Sequence, residues 1–212
     1  MTFAGKQVKP SHVWPYHTSS GEVAFTVARY EVDPGGKEIR PWIHTSRGWM
    51  SKAHPAPRPL FNLVGIGNGS PIFVVEGEKC AEILLKNGLQ ATTSSGGSNA
   101  ARQSDWSSLR GKDIVVLPDN DEPGRKYAKD VAGILHGLQC KVKIVSLPGL
   151  GEREDVHDWF TTYQQTTTVL LKLVDQVEFY VPKENAGDES WEEPTDLTRP
   201  IPPAPCAIHE CW

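Results

Sequence analysis

The chain lacks paired cysteines, a long apolar run and a strong net charge, and each absence removes a class of protein. Its four cysteines, Cys80, Cys140, Cys206 and Cys211, never form a C-x-x-C pair, which excludes a zinc ribbon and a dense disulfide framework. They read as reduced thiols of a cytoplasmic protein. No apolar stretch approaches the ~20 residues that span a bilayer, and the amino terminus has no signal-peptide core, so no membrane partner is expected. His12, His17, His44 and His54 show no i, i+4 spacing and receive no metal role. The net charge over 212 residues is only −4, but it is unevenly spread. Residues 1–64 hold eight Lys/Arg against four Asp/Glu, and residues 183–212 hold two against seven. The amino-terminal part is therefore basic and the tail acidic. With 38% hydrophobic content, this length supports one main core and a smaller appendage.

What is present falls into three parts. Residues 1–10 carry no periodic pattern and read as a loose lead-in. Residues 11–64 are predicted as a small basic β subdomain. Short β-type runs at 12–16, 22–32, 37–44 and 48–52 alternate with turn signals such as Ser19-Ser20-Gly21 and Asp33-Pro34-Gly35-Gly36, the pattern of an antiparallel meander. Trp14, Tyr16, Phe25, Tyr30, Trp42 and Trp49 interleave there with Arg29, Lys37, Arg40, Arg47, Lys52 and Arg58. Aromatics beside cations suit a single strand of nucleic acid, whose bases stack and whose phosphates need counter-charge. A small sheet also needs bulky side chains for its core. The reading therefore gives most of the aromatics to the core and Arg29, Lys37 and Arg40 to nucleic acid.

Residues 65–181 alternate strand and helix. Strands are predicted at 72–75, 89–93, 113–117 and 141–147, with helices at 79–87, up to about 109, 122–138, 156–163 and 167–177, Gly88 ending the first. Repeated β-α units give an open parallel sheet flanked by helices. Residues 182–212 are rich in Pro and acids and poor in apolar residues, the composition of a disordered tail or linker.

Two strands end in acids. Phe73-Val74-Val75 runs into Glu76-Gly77-Glu78-Lys79, and Ile114-Val115-Val116-Leu117-Pro118 runs into Asp119-Asn120-Asp121-Glu122-Pro123-Gly124. Buried parallel strands deliver acids in this way to the carboxyl edge of a sheet. Asp119 and Asp121, two apart, leave an extended chain on one side and can chelate a hard cation such as magnesium. Acids here also suit the starts of helices, whose amino-terminal ends are positive.

Glu76-Gly77-Glu78-Lys79, Ser94-Ser95-Gly96-Gly97, Asp119 to Lys126, Leu147-Pro148-Gly149 and Asp155-Val156-His157-Asp158-Trp159 resemble the successive motifs of a Toprim domain. The likeness runs over roughly residues 11–182 and is nearest to primase-like proteins of phages and mobile elements, often fused to a helicase. It implies a magnesium-dependent enzyme, with manganese as a substitute and no zinc. Glu76 takes the place of the general acid/base, and Asp119 and Asp121 take the metal. Asp155 and Asp158 lie where such domains carry further acids; one would hold a second ion while the other caps a helix or faces solvent. Lys79, Arg125 and Lys126 are placed to meet phosphates or to serve as surface charges, and Gly96 and Gly97 to admit backbone close to a phosphate. The expected partners are a single-stranded DNA template, ribonucleoside triphosphates and a replicative helicase, acting in trans or lost from the carboxyl terminus.

The chain departs from the resemblance in two ways. Cys80 stands where some relatives carry aspartate, which would weaken magnesium binding. No amino-terminal zinc module is expected. The leading reading is synthesis of short RNA primers in mobile-element replication. A Toprim nuclease keeps the same site, and a catalytically weak single-strand-binding or helicase-recruiting remnant keeps only the surface.

Overall fold

A computed structural model describes residues 1–182, apart from 4–5, 33–35, 68, 70 and 98–99. The expected acidic tail beyond Pro182 and most of the turn at 33–36 lie outside the described residues.

The lead-in contains a first departure from the sequence reading: β1 (Thr2–Phe3) pairs antiparallel with β2 (Lys6–Gln7). Strands of two residues are too short to leave an alternating pattern. The meander then forms as its turns dictate. Strands β3 (His12–His17), β4 (Val23–Val32), β5 (Gly36–Thr45) and β6 (Gly48–Ser51) make an antiparallel sheet in chain order. Gly21, at φ 87°, supplies the left-handed residue of the first reversal. Pro15 sits on the edge strand β3, where a missing N–H is tolerated. Cross-strand pairs Trp14 with Val27 and Tyr16 with Phe25 put four large side chains on one face. All four are buried, as is Tyr30, so most of the aromatics are core, while Trp49 remains 55% exposed.

The second sheet contains β7 (Ile72–Val75), β8 (Gln90–Thr93), β9 (Asp113–Val116) and β10 (Lys141–Ile144), all parallel, in the order β8-β7-β9-β10. Helices α1 (Glu78–Lys86), α2 (Glu122–Gly137), α3 (Val156–Thr161) and α4 (Thr167–Gln176) cover it. Every residue of β7 is buried, as a central strand covered on both faces requires. Alternation along the strand divides the interior in two. Ile72 and Val74 pack with Tyr127, Val131 and Leu135 of α2. Phe73 and Val75 pack with Ala81 and Leu84 of α1, Trp159 of α3 and Leu170 of α4. That second cluster also includes Trp14, Tyr16, Phe25 and Val27, so the meander closes over the α1 side.

Between β8 and β9 the described residues form short 3-10 turns, among them Ala101–Gln103 and Ser107–Leu109, in place of the expected helix. The serine-rich run there has no apolar period to sustain a longer helix, and Trp106 closes it by donating from Nε1 to the Ala101 carbonyl at 2.7 Å. Among the described residues no helix is long and apolar enough to cross a membrane.

The strand order reverses between β7 and β9. One chain leaves β7 through α1 toward β8, the other leaves β9 through α2 toward β10 on the opposite face, and a crevice opens where they part.

Phe25 tests whether the two sheets depend on one interior. It is 1% exposed and stacks on Tyr16 at 4.3 Å and on His54 at 5.2 Å. Phe25→Ala is expected to lower stability by ~3–5 kcal/mol. Near-UV and far-UV denaturant curves of the variant should still coincide, and two separate transitions would show that the meander melts alone.

Candidate functional site

β7 and β9 are neighbours with Val74 opposite Val116, so Glu76 and Asp119 leave the same sheet edge side by side at the crevice. The carboxyl of Asp119 is raised from its ordinary 3.8 to about 8, first by burial and then by the charges of Glu76, Asp155 and Asp121, with Lys37 acting in the opposite direction. Four carboxylates therefore converge, contributed by the segments after β7, β9 and β10.

Each reaches the crevice through its own local structure. Asp121 caps α2, its Oδ1 accepting from the Gly124 N–H at 2.7 Å, so the helix-start role is realised while its charge still acts on Asp119. Gly124 is required by close approach: a Cβ there would lie 2.6 Å from the Asp119 carbonyl oxygen and 3.0 Å from its Cβ and N. Asp155 caps α3 and accepts from the N–H groups of His157 (2.7 Å) and Asp158 (3.1 Å). Asp158 closes the capping box by accepting from the Asp155 N–H at 3.1 Å. Asp155 lines the cleft beside Asp119, and Asp158 does not. Of the two, Asp155 is the acid that reaches the cluster, and Asp158 belongs to the helix start.

The sequence reading passed over His157. One ligand atom each from Asp155, His157 and Asp158 lie within 4.8 Å of one another. Burial and Lys79 push the imidazole toward its neutral, ligating form. The segment carrying His157 was read for its acids alone, although a histidine two residues from Asp155 was visible.

The acids form one wall of a cleft of about 500 Å³. Glu76 to Cys80, Ser95 to Gly97, Asp119 and Asp155 stand on one side, and Val27, Arg29, Lys37, Ile39 and Pro41 of the meander stand on the other. Cross-strand pairing of Arg29 with Ile39 and of Glu31 with Lys37 puts Arg29 and Lys37 on the cleft side. Arg40 pairs with Ala28 on the opposite face and bonds Glu38 at 2.8 Å. Strand alternation thus separates Arg40 from the two residues it was grouped with. Lys79, Gly96 and Gly97 line the cleft. Arg125 and Lys126 are exposed on the first turns of α2, outside the cleft lining. Arg58, left among the general basic residues by the sequence, joins the two walls: its Nε donates to the His54 carbonyl at 2.8 Å and its Nη1 to the Ser95 carbonyl at 3.3 Å.

Cys80, Glu78 and Tyr127 hold the floor. Cys80, 4% exposed, lines the cleft with Asp119 and Asp155, and its thiol is pushed up by burial and then by Asp155 and Asp119. Glu78, raised by burial, accepts from the Tyr16 hydroxyl at 2.7 Å, so the second acid of the Glu76-Gly77-Glu78 run holds the meander to α1. The Tyr127 hydroxyl donates to the Val75 carbonyl at 3.3 Å and lies 2.8 Å from Ser94 Oγ, tying α2 to the two strand ends beside Glu76.

This donor set fits a hard divalent cation. Its ligands are carboxylate oxygens, and burial, reinforced by the neighbouring acids, holds a proton on Asp119 well above the usual carboxylate range, a position that a bound cation would take over.

The sequence profile of the Toprim-like family matches residues 76–160. No curated protein matches the chain in sequence. Among solved structures, the chain is similar to the zinc-binding and RNA polymerase domains of the Aquifex aeolicus primase, with a TM-score of 0.57 and 20% identity over 79% of this chain and 40% of that one. It is also similar to a DNA primase domain from Pseudomonas aeruginosa, with a TM-score of 0.54 and 18% identity over 79% of this chain and 51% of that one. The chain thus spans about half or less of these solved chains, and at such identity the likeness is one of fold.

Two measurements probe the cluster. Without metal, folded Asp119 keeps a proton that the unfolded chain has released, so stability should fall as pH rises from about 4 to about 8. Melting temperatures taken across that window should show the fall in the wild type, a flatter profile in Asp119→Asn, and recovery at high pH when magnesium is added. Gly124→Ala should force the Asp119 backbone aside, lowering stability by ~1–3 kcal/mol as overpacking does. Calorimetric titration of the same variant with manganese should show weakened binding.

Proposed function

We propose, from the match of residues 76–160 to the Toprim-like family, that the chain is a primase-type nucleotidyltransferase that makes short RNA primers on single-stranded DNA with magnesium. The observation that carries this reading is the convergence of Glu76, Asp119, Asp121 and Asp155 at a strand-order switch point, facing Arg29 and Lys37 across one cleft. Acids on one wall and cations on the other suit a reaction whose substrates are phosphates and whose leaving group is pyrophosphate.

Asp119 and Asp155, with Asp121 behind them, would hold the cation, which supplies charge neutralisation to the triphosphate and acidity to the attacking 3′-hydroxyl. Glu76 stands beside them at the end of β7 and takes the hydroxyl proton. Lys79, at the base of α1, meets the triphosphate, and the Gly96-Gly97 turn lets backbone approach it. Gly96 at φ 110° and Gly97 at φ 70° hold conformations that a larger side chain would strain. Arg29 and Lys37 guide the template strand. Ile39, 43% exposed, and Pro41 line the cleft beside them and offer the template bases an apolar face to rest on. A cytoplasmic role in phage or mobile-element replication, beside a replicative helicase, completes the reading.

The test is a primer-synthesis assay with magnesium, single-stranded template and labelled ribonucleotides. Labelled product should lengthen with time, and Glu76→Gln should reduce the rate by ~10²–10⁴-fold, the range of a lost general acid/base. Shortening of the template in place of product growth would make the chain a nuclease. Template binding with neither change would make it a non-catalytic binding protein.

A further inference from the structure

Asn120, between the two aspartates, has no role in the reading above, yet it is bonded more fully than either. Its side-chain nitrogen donates to the Leu150 and Gly151 carbonyls, both at 2.9 Å. Its backbone N–H donates to the Glu154 carbonyl at 2.9 Å, and its carbonyl accepts from the Arg153 N–H at 3.1 Å. All four bonds go to residues 150–154, the stretch that ends at Asp155.

That stretch contains no helix or strand. It leaves β10 after Ile144 and turns through left-handed residues at Gly149 (φ 84°) and Arg153 (φ 64°) before Asp155 starts α3. A loop of this kind does not place a carboxylate by its own stiffness. The hydrogen bonds of Asn120 join it to the loop between β9 and α2, which also carries Asp119 and Asp121. The site therefore has a direct link between the acid that follows β9 and the acid that follows β10. The residue type matters. A carboxamide presents two N–H donors to two carbonyl oxygens, aspartate would present oxygen to oxygen, and glycine would present nothing.

We infer that Asn120 is a positioning residue, which fixes Asp155 against Asp119 and thereby sets the affinity of the site for a divalent cation. The inference rests on the proposed metal role of the cluster. Groups that orient ligands in this way typically alter metal affinity by ~10–100-fold when removed.

The test titrates Mn2+ against the full chain, following the free aqua ion by electron paramagnetic resonance, for wild type, Asn120→Ala, Asp155→Asn and the double variant. Asp155→Asn keeps an oxygen to cap α3 while removing the charge. Asn120→Ala should weaken binding ~10-fold in the wild-type background and less than ~2-fold in the Asp155→Asn background, because the residue it positions no longer contributes its charge. An unchanged affinity in Asn120→Ala overturns the inference, and so does an equal loss in both backgrounds, which would mark a general structural role. Absence of Mn2+ binding by the wild type overturns the metal reading itself. Should the alanine variant fail to melt cooperatively, Asn120→Ser, with one short donor, replaces it under the same two-background comparison.

Discussion

Carboxylates gathered at the edge of a parallel sheet repel one another, and much of the surrounding architecture counters that repulsion. The fold supplies the place: β7 and β9 lie side by side where the strand order reverses, so their following residues enter one crevice. Helix starts supply part of the compensation, since Asp121 and Asp155 each accept backbone N–H bonds while turned toward Asp119. Burial of Asp119 and the neighbouring charges that remain uncompensated together raise its carboxyl. A site with this residual strain is suited to take up positive charge, and the basic wall of the meander lies opposite it.

The meander is therefore more than a neighbour. Its buried aromatics complete the interior on the α1 face, and its cleft-side residues follow them on the same face farther along β4 and β5. One strand period gives the sheet both duties: Phe25 and Val27 turn inward, Arg29 follows on the same side farther along, and Lys37 and Ile39 oppose it from β5. Arg40 shows how strict that period is, since one position along the strand removes it from the cleft.

Much of this was legible in the sequence. The β-α alternation, the meander with its turn residues and the delivery of Glu76 and Asp119 to a sheet edge follow from local patterns, because strand ends and helix caps are written in consecutive residues. The dual character of Asp121 and Asp155 also follows from such patterns. What could not be read locally is set by contacts between distant segments. Glu78 and Tyr16 are 62 residues apart, Arg58 and Ser95 are 37 apart, and Asn120 and Leu150 are 30 apart. None of these pairs leaves a periodic trace. The same limit explains why Arg125 and Lys126 were grouped with the phosphate-facing residues: the direction in which the first turns of α2 present them depends on how that helix packs.

The meander is fastened to α1 at separate points, by Tyr16 to Glu78 and by His12 to Glu82 at 3.1 Å, and Arg58 ties the segment after β6 to the Ser95 carbonyl. Walls tied in this way do not swing together over a bound ligand as hinged lobes do. Discrimination would then depend on what the standing gap admits, and a flexible polymer entering it would have to conform to the protein instead of the protein closing on the polymer.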